Sequence, residues 1–415
     1  MKGRLKEVLC RLQDPELVAR FQRLCGVSGP PSESETVKRA PPDARGGEPG
    51  KPEKRRRKVD SNGAANGEPL SCSGDTGTVK PLRRNSLTGD TGLAFCVENP
   101  LLYYLFTIGT ELGNELFYIS FFPFMTWNVD PVVARQLIVV WVWVMYLGQC
   151  AKDVIRWPRP SSPPVVKVEV FYNSEYSMPS THAMSATAVP LALLLLTHTR
   201  WEYPFLLGVT IALSWCVLVC LSRIYMGMHS VLDVIAGFLF SLLILVVFSP
   251  TLHLIDTFNL SFRYAPIVIV SLHAGLGLFS FTLDTWSTSR GDTAQILGTG
   301  AGIAVASHLN YQLDLIPDPP ASALPFPAPT LSFSLVGLCL LRFVLGVLVV
   351  LATRAVMKAL TVPLVCWFVG IPSGDARKAR QHMQVELPYR YIVYWTVGFS
   401  AFFLVPYLFV CIGLS

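Results

Sequence analysis

From about residue 101 to the C-terminus, apolar runs of membrane-crossing length follow one another with only short polar breaks. A helix needs about 20 residues to cross the hydrocarbon core of a bilayer. Backbone in lipid must also satisfy its own hydrogen bonds, which favours helices for such runs. The runs 101–127, 134–150, 183–199, 204–221, 232–249, 264–283, 294–309, 331–352 and 391–414 predict about nine spans. The stretch 360–372 is too short for a confident span and reads as interfacial or re-entrant. The fold class is therefore an all-α, polytopic membrane helical bundle.

Charge divides the chain further. Only 15% of the residues are charged, against about 25% in soluble domains. Residues 1–98 hold 18 of the 34 Lys and Arg and 13 of the 28 Asp and Glu, so nearly all of the net +6 sits there. This predicts a mostly disordered basic tail over 1–98 joined to an apolar membrane body, divided into a first block of spans over 99–250 and additional transmembrane helices over 251–415. Within the tail, Leu5, Val8, Leu9, Leu12, Leu17, Phe21 and Leu24 recur at helical spacing, interrupted by Pro15. That stretch reads either as an amphipathic helix on the membrane surface or as a segment with no fixed partner. Residues 27–95 are rich in Pro, Gly, Ser and charge, a composition that cannot bury a core. KPEKRRRK at 51–58 suits anionic lipid or plain solvation rather than nucleic acid, because the body is embedded in membrane. Ser86, after Arg83 and Arg84, matches a basophilic kinase site. Residues 1–26 lack the apolar core of a signal peptide, so the first span is expected to act as the targeting signal. The ten cysteines show no metal spacing and read as packing residues, with no structural disulfide framework and no zinc or other metal site.

Three polar clusters stand out at span boundaries. One is Lys152-Asp153-Val154-Ile155-Arg156-Trp157-Pro158-Arg159-Pro160, the second Pro179-Ser180-Thr181-His182, and the third runs from Ser222-Arg223 to His229 and Asp233. Ionisable side chains entering a span are costly and mark sites. His229 and Asp233 are four apart at a helix start, so they share a face. An aspartate there fixes the imidazole tautomer and leaves the other nitrogen as nucleophile or base. His182 supplies a second imidazole, able to act as general acid. Lys152, Arg159 and Arg223 offer donors and positive charge to a phosphoryl dianion. Two spans separate the second cluster from the third, so all three clusters face one aqueous compartment. The inventory suits phosphoryl transfer without metal or other cofactor.

The pattern Lys-x6-Arg-Pro, Pro-Ser-x-His, Ser-Arg-x5-His-x3-Asp resembles the three-part signature of the type 2 phosphatidic acid phosphatase superfamily, with Thr181 replacing a common Gly. SLTGDTG, GTELGNELFYI, MYLGQCAKDVIRWPRP, VFYNSEYSMPSTHAMS, LSRIYMGMHSVLD and FSFTLDTWSTSRGDTA are similar to the sphingosine 1-phosphate phosphatases. The resemblance implies a magnesium-independent phosphatase of the endoplasmic reticulum membrane acting on sphingosine 1-phosphate and related long-chain base phosphates. It implies His229 as the nucleophile forming a phosphohistidine, oriented by Asp233, and His182 as the acid. Lys152, Arg159, Ser180 and Arg223 would hold the phosphoryl oxygens. Alternatives are a broad phosphatidate or lysophosphatidate phosphatase and, from another class, a catalytically silent membrane protein or transporter. Partners beyond substrate and membrane lipids, and the oligomeric state, are left open.

Outside the motif, Arg156 reads as a membrane-surface residue, and His273 and His308 as packing histidines. Glu111, Asn114 and Glu115, at i, i+3 and i+4, are expected to share a face that either lines the substrate path or makes a structural contact. By parity, DTWSTSRGD at 284–292 returns to the active-site side, with Trp286 or Arg290 near the mouth. Span parity also puts the N-terminal tail on that side. Its basic charge favours the cytosol, whereas the family resemblance favours the lumen.

Overall fold

The computed structural model describes residues 2–29, 78–79, 92–169, 175–283, 289–330 and 332–414. Two short helices, α1 (Lys2–Gln13) and α2 (Pro15–Leu24), precede the bundle. The bundle consists of α3 (Pro100–Glu111), α4 (Glu115–Asn128), α5 (Pro131–Ile155), α6 (Thr181–Thr197), α7 (Phe205–Tyr225), α8 (Val231–Phe248), α9 (Leu252–Ser261), α10 (Ala265–Leu283), α11 (Ser289–Gln312), α12 (Phe333–Val369), α13 (Ala376–Ala379), α14 (Met383–Phe399) and α15 (Val405–Cys411).

Local chemistry explains where several helices begin. Asn99 accepts from the Leu102 amide and Asp130 from those of Val132 and Val133, each followed by a proline at the first helical position. Ser180, Ser230 and Ser332 cap α6, α8 and α12 in the same way. Side-chain oxygens here satisfy amides that the first helical turn leaves without partners.

Among the described residues, six helices are long and apolar enough to cross a membrane: Pro131–Ile155, Phe205–Tyr225, Val231–Ser261, Ala265–Leu283, Phe333–Val369 and Met383–Cys411. The three remaining expected spans are helical but depart from the simple pattern. The run 101–127 breaks between Glu111 and Glu115, which also destroys the single face expected for Glu111, Asn114 and Glu115. Helix α6 has only 17 residues. Helix α11, which contains 294–309, is too polar to qualify, and it is buried along most of its length against protein. A helix sheathed by its neighbours does not need a lipid-compatible surface. The stretch 360–372 is not a separate interfacial element either. Residues up to Val369 continue the 37-residue helix α12, with Gly370 in the left-handed conformation that ends it.

One buried apolar cluster joins α4, α5, α6 and α8 to α11, α12, α14 and α15, through residues such as Phe122, Leu137, Met184, Ile296, Val365 and Val393. Close approach of α11 to α14 depends on Gly302, where a Cβ would run into the Trp395 carbonyl.

Two expectations about the tail fail within the described residues. Val27–Ser28, Thr78–Val79 and Phe95–Val97 form a small antiparallel sheet, with the last strand in the middle. Phe95, Val97 and Val27 gain enough apolar contact for this by packing against Tyr225, Met226 and Met228. Cys96 in the central strand is disulfide-bonded, so the expectation of no structural disulfide is also corrected. Ser86, KPEKRRRK and Trp286 lie outside the described residues. Helix α2 does not lie free on a membrane surface. Val18, Ala19 and Gln22 are buried, and the Gln22 side chain bonds the backbone of Val166 on both its groups and the Tyr225 carbonyl.

Candidate active site

Helix ends build the site. The C-terminal part of α5 carries Lys152, the start of α6 carries Ser180 and His182, the last turn of α7 carries Arg223, and the turn before α8 carries His229. Between α7 and α8 the chain turns at Gly227, whose φ of +70° is strained for any other residue and whose missing Cβ makes room for the Val166 carbonyl. All three polar clusters meet at one end of the bundle, as the span parity required.

His229 is 1% exposed. Its Nε2 is 3.5 Å from Arg159 Nη1, so this nitrogen faces the cations. Its Nδ1 is 3.9 Å from Asp233 Oδ2, too far for the direct hydrogen bond that the spacing suggested. Ser177 fills the gap. Its hydroxyl is 3.3 Å from Nδ1 and donates to Asp233 Oδ2 at 2.5 Å. Asp233 cannot move closer because it closes a capping box: Oδ2 also accepts from the Ser230 amide at 2.7 Å, while Ser230 Oγ accepts from the Asp233 amide. A chain from Nδ1–H through the Ser177 hydroxyl to a carboxylate keeps Nε2 as the bare lone pair. Burial, followed by the charges of Arg159, Arg223 and Lys152, holds the His229 imidazole well below the ordinary histidine range, which keeps it neutral and nucleophilic.

Each predicted phosphate-binding cation lies beside a carboxylate from the loop between α5 and α6. Lys152 Nζ is 3.1 Å and Arg159 Nη2 is 3.6 Å from Glu175 Oε2. Arg223 Nη1 donates to Glu169 Oε2 at 3.0 Å, with both side chains fully buried. Arg159 also donates to the carbonyls of Met228 and Glu175, which fixes its guanidinium. Ser180 is fully buried, and its hydroxyl accepts from the Ala183 amide at 3.4 Å. It therefore positions the positive end of α6 at the site. His182 Nε2 is 3.1 Å from Asn114 Oδ1. This contact depends on the break between α3 and α4, where a Cβ on Gly113 would lie 2.7 Å from the His182 ring.

A cavity of about 420 Å³ opens beside this cluster. His182, Thr181 and Glu175 line it on the catalytic side, Gln149 and Asp292 line it from α5 and α11, and Arg354, Arg390 and Tyr394 line it from α12 and α14. Glu115 meets these last residues, accepting from the Tyr394 hydroxyl at 2.5 Å and from Arg354 Nη2 at 2.9 Å. Of the 284–292 segment, the described residues 289–292 lie on this side: Ser289 donates to Asp153 at 2.6 Å, and Asp292 lines the cavity. Arg290 instead turns onto the Phe281 ring and carbonyl. Arg156 is exposed at the end of α5, in the left-handed conformation, and bonds the Leu283 carbonyl. His273 and His308 each approach a backbone carbonyl, those of Ile269 and Asn259.

Sequence reasoning missed Ser177, Glu169, Glu175, Gln149 and Lys167. Ser177 and Glu175 lie just before the second motif, but no spacing rule sets them apart from their neighbours. Lys167 ties the site's loops together by donating to the carbonyls of Pro160 and Gly227. Burial, helped by Arg159, pulls its ammonium down to about 8.

A buried imidazole with a hydroxyl–carboxylate relay on one nitrogen and an arginine facing the other is an arrangement able to carry phosphoryl transfer through a histidine. Residues 133–254 match the PAP2 superfamily, whose phosphatases are hydrolases that need no metal. Over 99% of both chains, the sequence is 57% identical to Sphingosine-1-phosphate phosphatase 1 of Rattus norvegicus. It is 39% identical to Sphingosine-1-phosphate phosphatase 2 of Homo sapiens over 99% of this chain and 100% of that one. Lipid phosphate phosphatase delta of Arabidopsis thaliana is 33% identical over 31% of this chain and 33% of its own length. The chain belongs to the sphingosine-1-phosphate phosphatase family. No solved structure matches it.

Proposed function

We propose that this membrane phosphatase hydrolyses sphingosine 1-phosphate and related long-chain base phosphates through a phosphohistidine on His229. The observation that carries the mechanism is the buried imidazole with Nδ1 facing Ser177 and Asp233 and Nε2 facing Arg159. Nε2 attacks phosphorus while Lys152, Arg159 and Arg223 take up the charge on the equatorial oxygens, with the Ser180 end of α6 behind them. His182, opening onto the cavity, protonates the departing lipid oxygen. It then takes a proton from the water that cleaves the phosphohistidine. Splitting the reaction in two suits phosphate monoesters, which hydrolyse very slowly unaided. Near-full-length identity to relatives named for sphingosine 1-phosphate supports the substrate. The catalytic unit is assigned to residues 99–250, with helices of 251–415 forming the far wall of the substrate cavity.

An endoplasmic reticulum location with a lumen-facing site fits the disulfide at Cys96. Such bonds persist in oxidising compartments, and this strand packs on the turn that carries His229. Helix α2 docks on the same turn, so the tail shares that side. Protection of residues 1–98 from protease added to sealed microsomes supports this orientation; cleavage contradicts it.

The function is tested by phosphate release from detergent-purified protein in EDTA, comparing sphingosine 1-phosphate with lysophosphatidate. Activity that favours the sphingoid lipid and vanishes in His229→Ala is the expected result. Equal rates on both lipids withdraw the substrate, and full activity in the variant withdraws the mechanism.

A further inference from the structure

The position of Glu175 poses an electrostatic problem. Its carboxylate occupies Lys152 and Arg159, two of the cations proposed to hold the phosphoryl group, and it lines the cavity through which a lipid phosphate must approach. Although burial opposes its charge, Lys152 and Arg159 hold it below the usual carboxylate range, so it is anionic at neutral pH. When a phosphate dianion takes over those cations, Glu175 loses its partners and faces a like charge at close range. Asp292 shares a hydrogen bond with Glu175 but brings no replacement cation: burial and the neighbouring Glu175 push its carboxyl up to about 7, and Arg390 pairs with it at 2.6 Å. A phosphate site that needed only to bind phosphate gains nothing from two adjoining carboxyls. The arrangement makes sense if the incoming molecule carries its own cation close to the phosphate.

A second observation comes from the lining of the same cavity. Gln149 lies three residues before Lys152 on α5, is 2% exposed, and leaves Oε1 without a hydrogen-bond partner among the described residues. Buried amide oxygens are nearly always satisfied, so an acceptor left open beside a cavity points to a donor supplied from outside. Rotation about the last side-chain bond presents either end of the amide.

We infer that Glu175, Asp292 and Gln149 form a recognition subsite for the ammonium and neighbouring hydroxyl of a sphingoid phosphate. This rests on the phosphatase reading given above and deepens it. In a long-chain base phosphate the ammonium sits on the carbon next to the one that bears the phosphate ester. A phosphoryl group on Lys152 and Arg159 therefore brings the ammonium within reach of Glu175. The carboxylate exchanges two protein cations for one substrate cation, and Gln149 accepts from the ammonium or the hydroxyl. Glycerol-based lipid phosphates bring no such cation and leave Glu175 facing the dianion. The catalytic motif, shared across lipid phosphatases, cannot make this distinction, whereas these three residues can.

The experiment compares kcat/KM for sphingosine 1-phosphate with kcat/KM for octadecyl phosphate, which has a long chain and the same ester but no ammonium or hydroxyl. Wild type, Glu175→Gln and Gln149→Leu are measured as purified full-length chains. The ratio of the two values is expected to fall at least tenfold in Glu175→Gln and about threefold in Gln149→Leu, equivalent to about 1.4 and 0.7 kcal/mol of discrimination. A ratio within twofold of wild type in both variants overturns the subsite, as does loss of both activities in equal measure. A wild type that hydrolyses the two lipids equally well defeats the sphingoid reading itself. A selective wild type whose variants stay selective defeats only the subsite.

Discussion

The two ends of the bundle both bury charge, but they do so differently. At the end away from the site, Arg135 makes four hydrogen bonds, two to Asp256 and two to Asp318. Asp130 there accepts from two backbone amides as well as from Arg200 and Trp201. At the catalytic end, Arg223 Nε, Asp233 Oδ1, Asn114 Nδ2 and Gln149 Oε1 are buried without hydrogen-bond partners among the described residues, whereas the open groups near Arg135 and Asp130 belong to the neutral amides of Asn128 and Asn310. A closed network holds helices together; an open one keeps donors and acceptors for something that arrives. The charged residues thus close on one another at one end and keep open positions at the other.

Mutation should separate the two ends. Arg159→Ala removes the cation nearest His229 Nε2, and kcat is expected to fall about 10²–10³-fold, or about 3–4 kcal/mol of barrier. Melting of the purified protein should change far less. A fall of less than tenfold breaks the comparison. Arg135→Ala should do the reverse. It strands Asp256 and Asp318 without their shared cation, at a cost of about 3 kcal/mol in stability, with turnover per folded molecule unchanged. Thermal melting and active-site-normalised rates check both statements.

Ser177→Ala sharpens the comparison. It cuts the relay from His229 to Asp233 but leaves the capping box intact, so kcat should drop about tenfold, or about 1.4 kcal/mol, with KM little altered. An unchanged kcat would mean that Asp233 serves the helix alone.

A pH dependence bears on the same imidazole. The folded pKa of His229 lies below its unfolded value near 6.5, so below about pH 6.5 the unfolded chain binds a proton that the folded chain refuses. Its contribution to stability is complete above that pH and is lost as pH falls, by at most about 1.4 kcal/mol per unit. His229→Asn should flatten the stability profile between pH 7 and 5. The same slope in both proteins would contradict the assignment of a buried neutral imidazole.

The membrane bundle and the meeting of the three polar clusters were legible because long apolar runs and charges at their boundaries are strong local signals. Parity alone brought Lys152, His182 and His229 to one side. What the sequence concealed depends on contacts between distant segments. Ser177 stands between His229 and Asp233 because the capping box holds Asp233 back, and helical spacing carries no trace of that. Helix α11 escaped the hydropathy rule because other helices cover it. The break at Gly113 and Asn114 looked like part of one apolar run, although Asn114 turns toward His182. The strand at Phe95 appeared to belong to a solvated tail until its apolar partners around Tyr225 were in place.

The most direct test of the account is rapid-quench labelling with sphingosine 1-phosphate carrying radioactive phosphate, in the wild type, His182→Ala and His229→Ala. The account predicts a base-stable, acid-labile phosphoprotein that forms in the wild type, forms more slowly in His182→Ala, where the departing lipid oxygen lacks its acid, and is absent from His229→Ala. Label that persists in His229→Ala, or release of phosphate at wild-type rates with no labelled protein at any time point, would contradict it.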